Sequence, residues 1–241
     1  MIIDYNKIAL NQVLFIDIET VPAVPVYEEL SESFRKHWER KSSFFRNADE
    51  SASDVYQRAG IYAEFGKIIC ISAGFITERN GDKHFRVKSF SGDTEKELLT
   101  EFSAMLDSFA PKGDKYFCGH NIREFDIPYI SRRMLVNRIP LPEMLNNAGK
   151  KPWDMKLLDT MELWKFGDFK NYTSLELLAN LFGIPTPKDD IDGSMVADVY
   201  YNEKNLNRIV TYCEKDVLTV AQLLLSYRLM PLIEEANIIK A

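Results

Sequence analysis

The chain has 241 residues, 46% of them hydrophobic and 27% charged, the length and balance of one folded domain, or of one domain with an insertion. No apolar run approaches the roughly 18–20 residues of a membrane span. The start lacks a basic segment leading into an apolar core, and three scattered cysteines form no C-x-x-C pair; this points away from a membrane helix, a secretory signal, a disulfide framework or a zinc knuckle, and toward a reducing cytoplasm. The net charge of −6 disfavours a protein that holds long nucleic-acid tracts by counterion release. It weighs less against an enzyme whose contact is short and bridged by cations.

Val13-Leu-Phe-Ile-Asp-Ile-Glu-Thr20 is short, β-branched and aromatic, and predicts a strand. After Pro22 and Pro25, a polar, Ser-rich stretch over about residues 27–64 with weak 3.6-residue periodicity reads as an irregular helical insertion. Lys67–Thr77 predicts a buried strand, and the Asn80-Gly81 pair turns it into a second, His84–Phe90, to make a hairpin. Residues 94–110 predict a helix: Thr94 and Glu97 make a capping box, and Leu98, Phe102, Met105, Leu106 and Phe109 share a face. Tyr116–Gly119 predicts a short strand. Residues 127–137 predict a helix that tolerates Pro128 in its first turn, and Lys156–Asp159 another brief strand. Helices follow at about 173–182, 194–203 and 205–228, separated by Gly183-Ile-Pro185 and a loop from Pro187 to Gly193. Strands first and helices packed around them give an α/β class with a mixed central sheet flanked by helices, in a single domain over 1–241.

Three motifs carry chemistry. Asp17 and Glu19 stand two apart in a strand, so both carboxylates leave the same face of a segment built for burial. Two like charges there repel and are costly to desolvate unless cations compensate; the alternative places them at a solvated strand end. Asn121-Ile-Arg-Glu-Phe125-Asp126-Ile-Pro128-Tyr129 lies between a strand and a helix. Asp126 there is either a helix N-cap or a third functional carboxylate, with Phe125 and Tyr129 available to stack on a base. Tyr212 and Asp216 share a face of the last helix. They lie roughly 80–120° from the centre of an apolar stripe through Leu206, Ile209, Val210, Cys213, Val217, Val220 and Leu224, taking about 100° per residue. That position borders the core, or forms a surface pair.

In order, Asp17-x-Glu19-Thr20, Asn121-x3-Phe125-Asp126-x-Pro128-Tyr129 and Tyr212-x3-Asp216 resemble the three exonuclease motifs of the DEDD superfamily. The match is to its tyrosine-bearing branch, most of all to the proofreading exonuclease domain of family B DNA polymerases and their stand-alone bacterial relatives. The resemblance runs from about residue 12 to residue 225. It implies a ribonuclease H-like (DnaQ-like exonuclease) fold and metal-dependent 3′→5′ hydrolysis of single-stranded nucleic acid, releasing nucleoside 5′-monophosphates; DNA is favoured over RNA, although nothing in the motifs decides the sugar. It further implies that Asp17, Glu19, Asp126 and Asp216 bind two divalent cations, Mg²⁺ or Mn²⁺. The resemblance also implies that Tyr212 orients the attacking water and that Thr20, Asn121 and Phe125 contact the terminal nucleotides. About 25 residues follow Asp216, so any polymerase or repair protein it serves is expected as a separate chain.

Three rivals remain. One is an exoribonuclease, which a residue contacting the 2′-OH would mark. Another is a catalytically silent scaffold subunit, against which the complete set of four carboxylates and the tyrosine counts. A zinc hydrolase is disfavoured because His37, His84 and His120 are isolated; His120 is expected to be a structural hydrogen-bonder.

Overall fold

A computed structural model describes residues 4–79, 81–112, 114–168, 172–185 and 191–240. Asn80 and most of the expected Pro187–Gly193 loop lie outside them.

Strand β1 (Val13–Pro22) alternates so that Val13 and Phe15 face one side while Leu14, Ile16 and Ile18 face the other, and nearly every residue is buried. A strand clothed on both faces needs apolar groups in both registers, and β1 has them. It pairs antiparallel with β2 (Gly66–Arg79), which turns into β3 (Asp82–Ser91), and parallel with β4 (Tyr116–Gly119). Two further parallel edges, β5 (Leu157–Asp159) and β6 (Ile238–Lys240), complete a six-stranded sheet of order β5-β4-β1-β2-β3-β6. The mixed α/β architecture is therefore the expected one.

Helices α2 (Glu95–Phe109) and α3 (Asp126–Val136) cover the Leu14/Ile16/Ile18 face through Leu98, Leu99, Phe102, Leu106, Ile127, Ile130 and Met134. After the short helices α5 (Leu175–Leu181) and α6 (Val196–Tyr201), the long helix α7 (Leu206–Tyr227) covers the opposite face through Val217, Val220, Ala221 and Leu224 against Val13, Phe15 and Phe85. Each of these valines, leucines and phenylalanines contributes about 1.5–3 kcal/mol by leaving water, which fixes α7 across β1. Odd-numbered β1 residues thus look toward α7, and Asp17 and Glu19 are odd-numbered. A register irregularity between Glu19 and Thr20 opens β1 there, the kind of bulge that re-aims side chains at sites.

Several expectations are corrected. Thr94 precedes α2 but its side chain makes no capping bond, and Glu97 is exposed. The acid that matters there is Glu95, bound by Arg133 and Asn137 of α3 and by Ile68 N–H. The helix α4 (Thr160–Lys165) and strand β6 were not anticipated; α4, with 6 residues, is under two turns long and too short to show a 3.6-residue period. Within the stretch expected to be an irregular helical insertion lie a helix, α1 (Glu32–Ser42), and a 3-10 turn, Tyr56–Ile61. Trp38, Tyr56, Phe65 and Leu30 form its own apolar cluster, with Trp38 Nε1 donating to Ala52 O at 2.8 Å. It packs against the far end of β1 and is tied to α3 by the Tyr129 hydroxyl, which donates to Gly60 O at 2.8 Å.

Candidate active site

The carboxyl ends of the parallel pair β1 and β4 point the same way, and a ligand crevice is commonly built beyond such ends. Asp17 and Glu19 come from β1. After β4 the chain turns sharply through Gly119 and Asn121: a Cβ at Gly119 would meet Ile122 at 2.9 Å. Asn121 adopts a left-handed φ of 62°, which asparagine tolerates better than most residues. The turn delivers Phe125 and Asp126 to the start of α3. Asp126 is the first residue of the helix rather than its cap, which is Phe125. The Asp126 carboxylate, 3% exposed, accepts its own N–H and that of Ile18, so it closes onto β1 just beyond the strand pair. From the other side α7 presents Tyr212, Cys213 and Asp216.

The electrostatics tie these groups together. Burial, then the charges of Asp216 and Asp126, push the Asp17 carboxyl well above its ordinary range. Burial, then Asp17 and Asp216, do the same to Glu19. Asp126 is raised to about 7, first by burial, with Asp159 adding to it and the two backbone N–H bonds opposing. Among the described residues, Asp17, Glu19 and Asp126 form no ion pair, and the leading charges acting on them are those of other acids. Buried like charges without a counter-ion are unstable as anions. Hard oxygen donors crowded in this way fit one or more divalent cations. Burial, then Asp216, Glu19 and Asp17, hold the Tyr212 phenol far above its usual range, and its hydroxyl bonds the Asp216 carboxylate one turn away.

The structure therefore gathers Asp17, Glu19, Asp126, Tyr212 and Asp216 at one place. Phe125 is half-buried beside it, tilted on Tyr129 with ring centroids 5.5 Å apart. The Thr20 hydroxyl bonds that of Tyr129 on the α3 side. Tyr129 itself is 2% exposed, which removes it as a base-stacking ring; its face lies under Phe125 and its hydroxyl holds Gly60. Asn121 Oδ1 is buried with no hydrogen-bond partner among the described residues, the state of an atom waiting for a ligand or water. His120 behaves as a structural residue, Nδ1 on Thr160 Oγ1 at 2.9 Å and Nε2 on Thr173 O at 2.8 Å. Burial keeps its pKa below the ordinary histidine value.

Three residues escaped the sequence. Cys213 lies in the buried stripe of α7 and donates its thiol to Asp17 Oδ2 at 3.3 Å and to Asp17 O at 3.4 Å. Its Sγ and one oxygen each of Asp17 and Glu19 fall within 4.8 Å of one another. It directly follows Tyr212, a position that helical geometry could have flagged. Asp159, 2% exposed, accepts four backbone N–H groups: Asn121 at 3.0 Å, Arg123 at 3.1 Å, Met161 at 3.0 Å and Glu162 at 3.3 Å. It caps α4 and anchors the turn that carries Asn121 and Phe125. Asp159 three residues before Glu162 is an N-terminal capping pattern, legible in principle. Tyr172 is exposed, its ring edge-on to His120 at 6.1 Å. Partial desolvation, then Asp126, Asp159, Asp17 and Asp216, raise its phenol, so it overlooks the acidic centre.

The sequence model of a family described as "Predicted 3'-5' exonuclease related to the exonuclease domain of PolB" matches residues 61–235. No curated protein matches the chain. Among solved structures, the family B DNA polymerase from the hyperthermophilic archaeon Pyrobaculum calidifontis is similar, with a TM-score of 0.53 and 17% identity over 90% of this chain. The match covers 24% of that polymerase, so the chain spans about a quarter of its length. At that identity the likeness speaks to the fold, which is the ribonuclease H-like arrangement of a polymerase exonuclease domain. Among the described residues no helix is long and apolar enough to cross a membrane.

Proposed function

We propose, for a chain that belongs to the family of predicted 3′-5′ exonucleases related to the exonuclease domain of PolB, that it hydrolyses phosphodiester bonds one at a time from the 3′ end of single-stranded DNA. The products are nucleoside 5′-monophosphates. The observation that carries this reading is the meeting of Asp17 and Glu19 from β1, Asp126 from the start of α3 and Asp216 from α7, each raising the charge burden on its neighbours. Asp17, Glu19, Asp126 and Asp216 would hold two divalent cations, Mg²⁺ or Mn²⁺, as in the tyrosine-bearing DEDD branch. Such ions, when bound, supply Lewis-acid polarisation of the phosphate and charge compensation for the attacking and leaving oxygens.

The chain's own residues do the rest. Tyr212 keeps its proton at neutral pH, since its phenol is held far above the usual range. It therefore orients a water by hydrogen bond while Asp216 fixes its own direction, and it is not a general base. Phe125, half-buried on the firm seat of Tyr129, offers a ring face to the terminal base, where stacking is tolerant of sequence. Asn121 Oδ1, unpartnered and buried, accepts a donor from the terminal nucleotide. Thr20 steadies this wall through Tyr129.

The test is a gel assay on matched 5′-labelled single-stranded DNA and RNA with Mg²⁺, Mn²⁺ or EDTA, beside an Asp17→Asn control. A ladder shortening from the 3′ end of DNA, dependent on metal and absent from the control, is expected. Trimming of RNA alone would make it an exoribonuclease. Cleavage of neither strand would leave a silent binding subunit.

A further inference from the structure

Cys213 is a soft donor inside a set of hard ones. Its thiol is wholly buried, and its hydrogen bond brings Sγ to 3.3 Å from Asp17 Oδ2. With zinc–sulfur and zinc–oxygen bonds of about 2.3 and 2.0–2.2 Å, the sulfur-to-oxygen edge of a tetrahedral site is about 3.5 Å. The thiol and carboxylate thus already stand at ligand spacing. Glu19 closes the set: one of its oxygens lies within 4.8 Å of both partners. That carboxylate is 7% exposed, and among the described residues it has no hydrogen-bond or ion-pair partner. A buried acid with nothing to hold marks a place for a cation.

We propose that Asp17, Glu19 and Cys213 form a site for a thiophilic divalent ion of the Zn²⁺, Cd²⁺ or Co²⁺ class, and that its occupancy displaces the hard ion at Asp17 and Glu19. Mg²⁺ takes oxygen ligands in octahedral geometry and leaves the sulfur untouched, a neutral thiol hydrogen-bonded to Asp17. A thiophilic ion takes the sulfur as well. The Cys213 S–H bond then breaks, the proton leaves to water, a sulfur–metal bond forms, and the hydrogen bond to Asp17 is replaced by a shared ion. A fourth position stays open to water. The inhibition this implies rests on the exonuclease reading; the binding itself does not.

The experiment is an anaerobic titration of the full chain with Co²⁺, reading the near-ultraviolet sulfur-to-cobalt charge-transfer band. Wild type, Cys213→Ser, Cys70→Ser and Glu19→Gln are compared, and thermal melting checks that each is folded. Cys70, the cross-strand neighbour of Glu19, bonds the Cys213 thiol and serves as the control sulfur. A one-equivalent band is expected in wild type and Cys70→Ser and none in Cys213→Ser. Zn²⁺ affinity by chelator competition should fall at least about tenfold in Cys213→Ser and in Glu19→Gln. Absence of the band in folded wild type, or its survival in Cys213→Ser, overturns the proposal. If Cys213→Ser does not fold, full retention of Zn²⁺ affinity in Glu19→Gln overturns it instead. Cleavage of a labelled strand by wild type with Mg²⁺ is run in parallel. A band without cleavage refutes the exonuclease reading and leaves the ion site standing; cleavage without a band does the reverse.

Discussion

Glu95 and Glu19 are similarly buried carboxylates, 9% and 7% exposed, yet the protein surrounds them in opposite ways. Around Glu95 it supplies a complete shell: Arg133 Nε at 2.9 Å and Nη2 at 2.6 Å, Asn137 Nδ2 at 2.8 Å and Ile68 N at 2.8 Å. Asp159 is treated likewise, by four backbone N–H groups. Around Glu19, by contrast, stand Asp17, Asp126 and Asp216, all of the same sign. Glu95 and Asp159 hold elements together, whereas the Glu19 cluster weakens the metal-free fold. A chain keeps such a cluster where something outside the chain completes it, so on the function proposed above the contrast sets structural acids against functional ones.

The comparison can be broken from either side. Asp17→Asn or Asp216→Asn should lower the cleavage rate by several kcal/mol of transition-state stabilisation, about a thousandfold or more, in a gel assay, with the melting curve kept. Loss of folding, or full activity, would remove these residues from their role. On the other side, Arg133→Met strands Glu95 without its cation and should cost about 3–5 kcal/mol in urea unfolding. A cost below 1 kcal/mol would mean that Glu95 is not anchored as described.

Tyr212→Phe removes one hydrogen bond to a charged centre and leaves the carboxylates in place. Turnover should fall by about 1.5–3 kcal/mol, roughly ten- to a hundredfold, with KM little changed; complete inactivity would make Tyr212 more than an orienter.

The smallest effect is on pH dependence. Asp126 is raised in the fold to about 7, from an unfolded value near 3.9. The stability this gives is complete below the unfolded value and is lost as pH rises through about 7. Metal-free protein should therefore be more stable at pH 6 than at pH 8 by about 1 kcal/mol from this group. Asp126→Asn should flatten that slope in thermal melts, and saturating Mg²⁺ should reverse it. A slope of the opposite sign would show that Asp126 is held as an anion by a partner in the protein.

Much of this molecule follows from residue order alone. The alternation of β1, the hairpin that follows, the 3.6-residue stripes of α2, α3 and α7, and the strand Tyr116–Gly119 are local signals, because side-chain direction repeats every 2 or 3.6 residues whatever the neighbours. The same local rule put Asp17 with Glu19 and Tyr212 with Asp216. What the order could not decide was which distant groups share an environment. The tie of Tyr129 to Gly60, the thiol of Cys213 on Asp17, and the shell that Arg133, Asn137 and Ile68 build around Glu95 all depend on partners tens to nearly two hundred residues away in the chain. A carboxylate's meaning is set by what fills the few ångströms around it, and only the packing of α3 and α7 across β1 settles that.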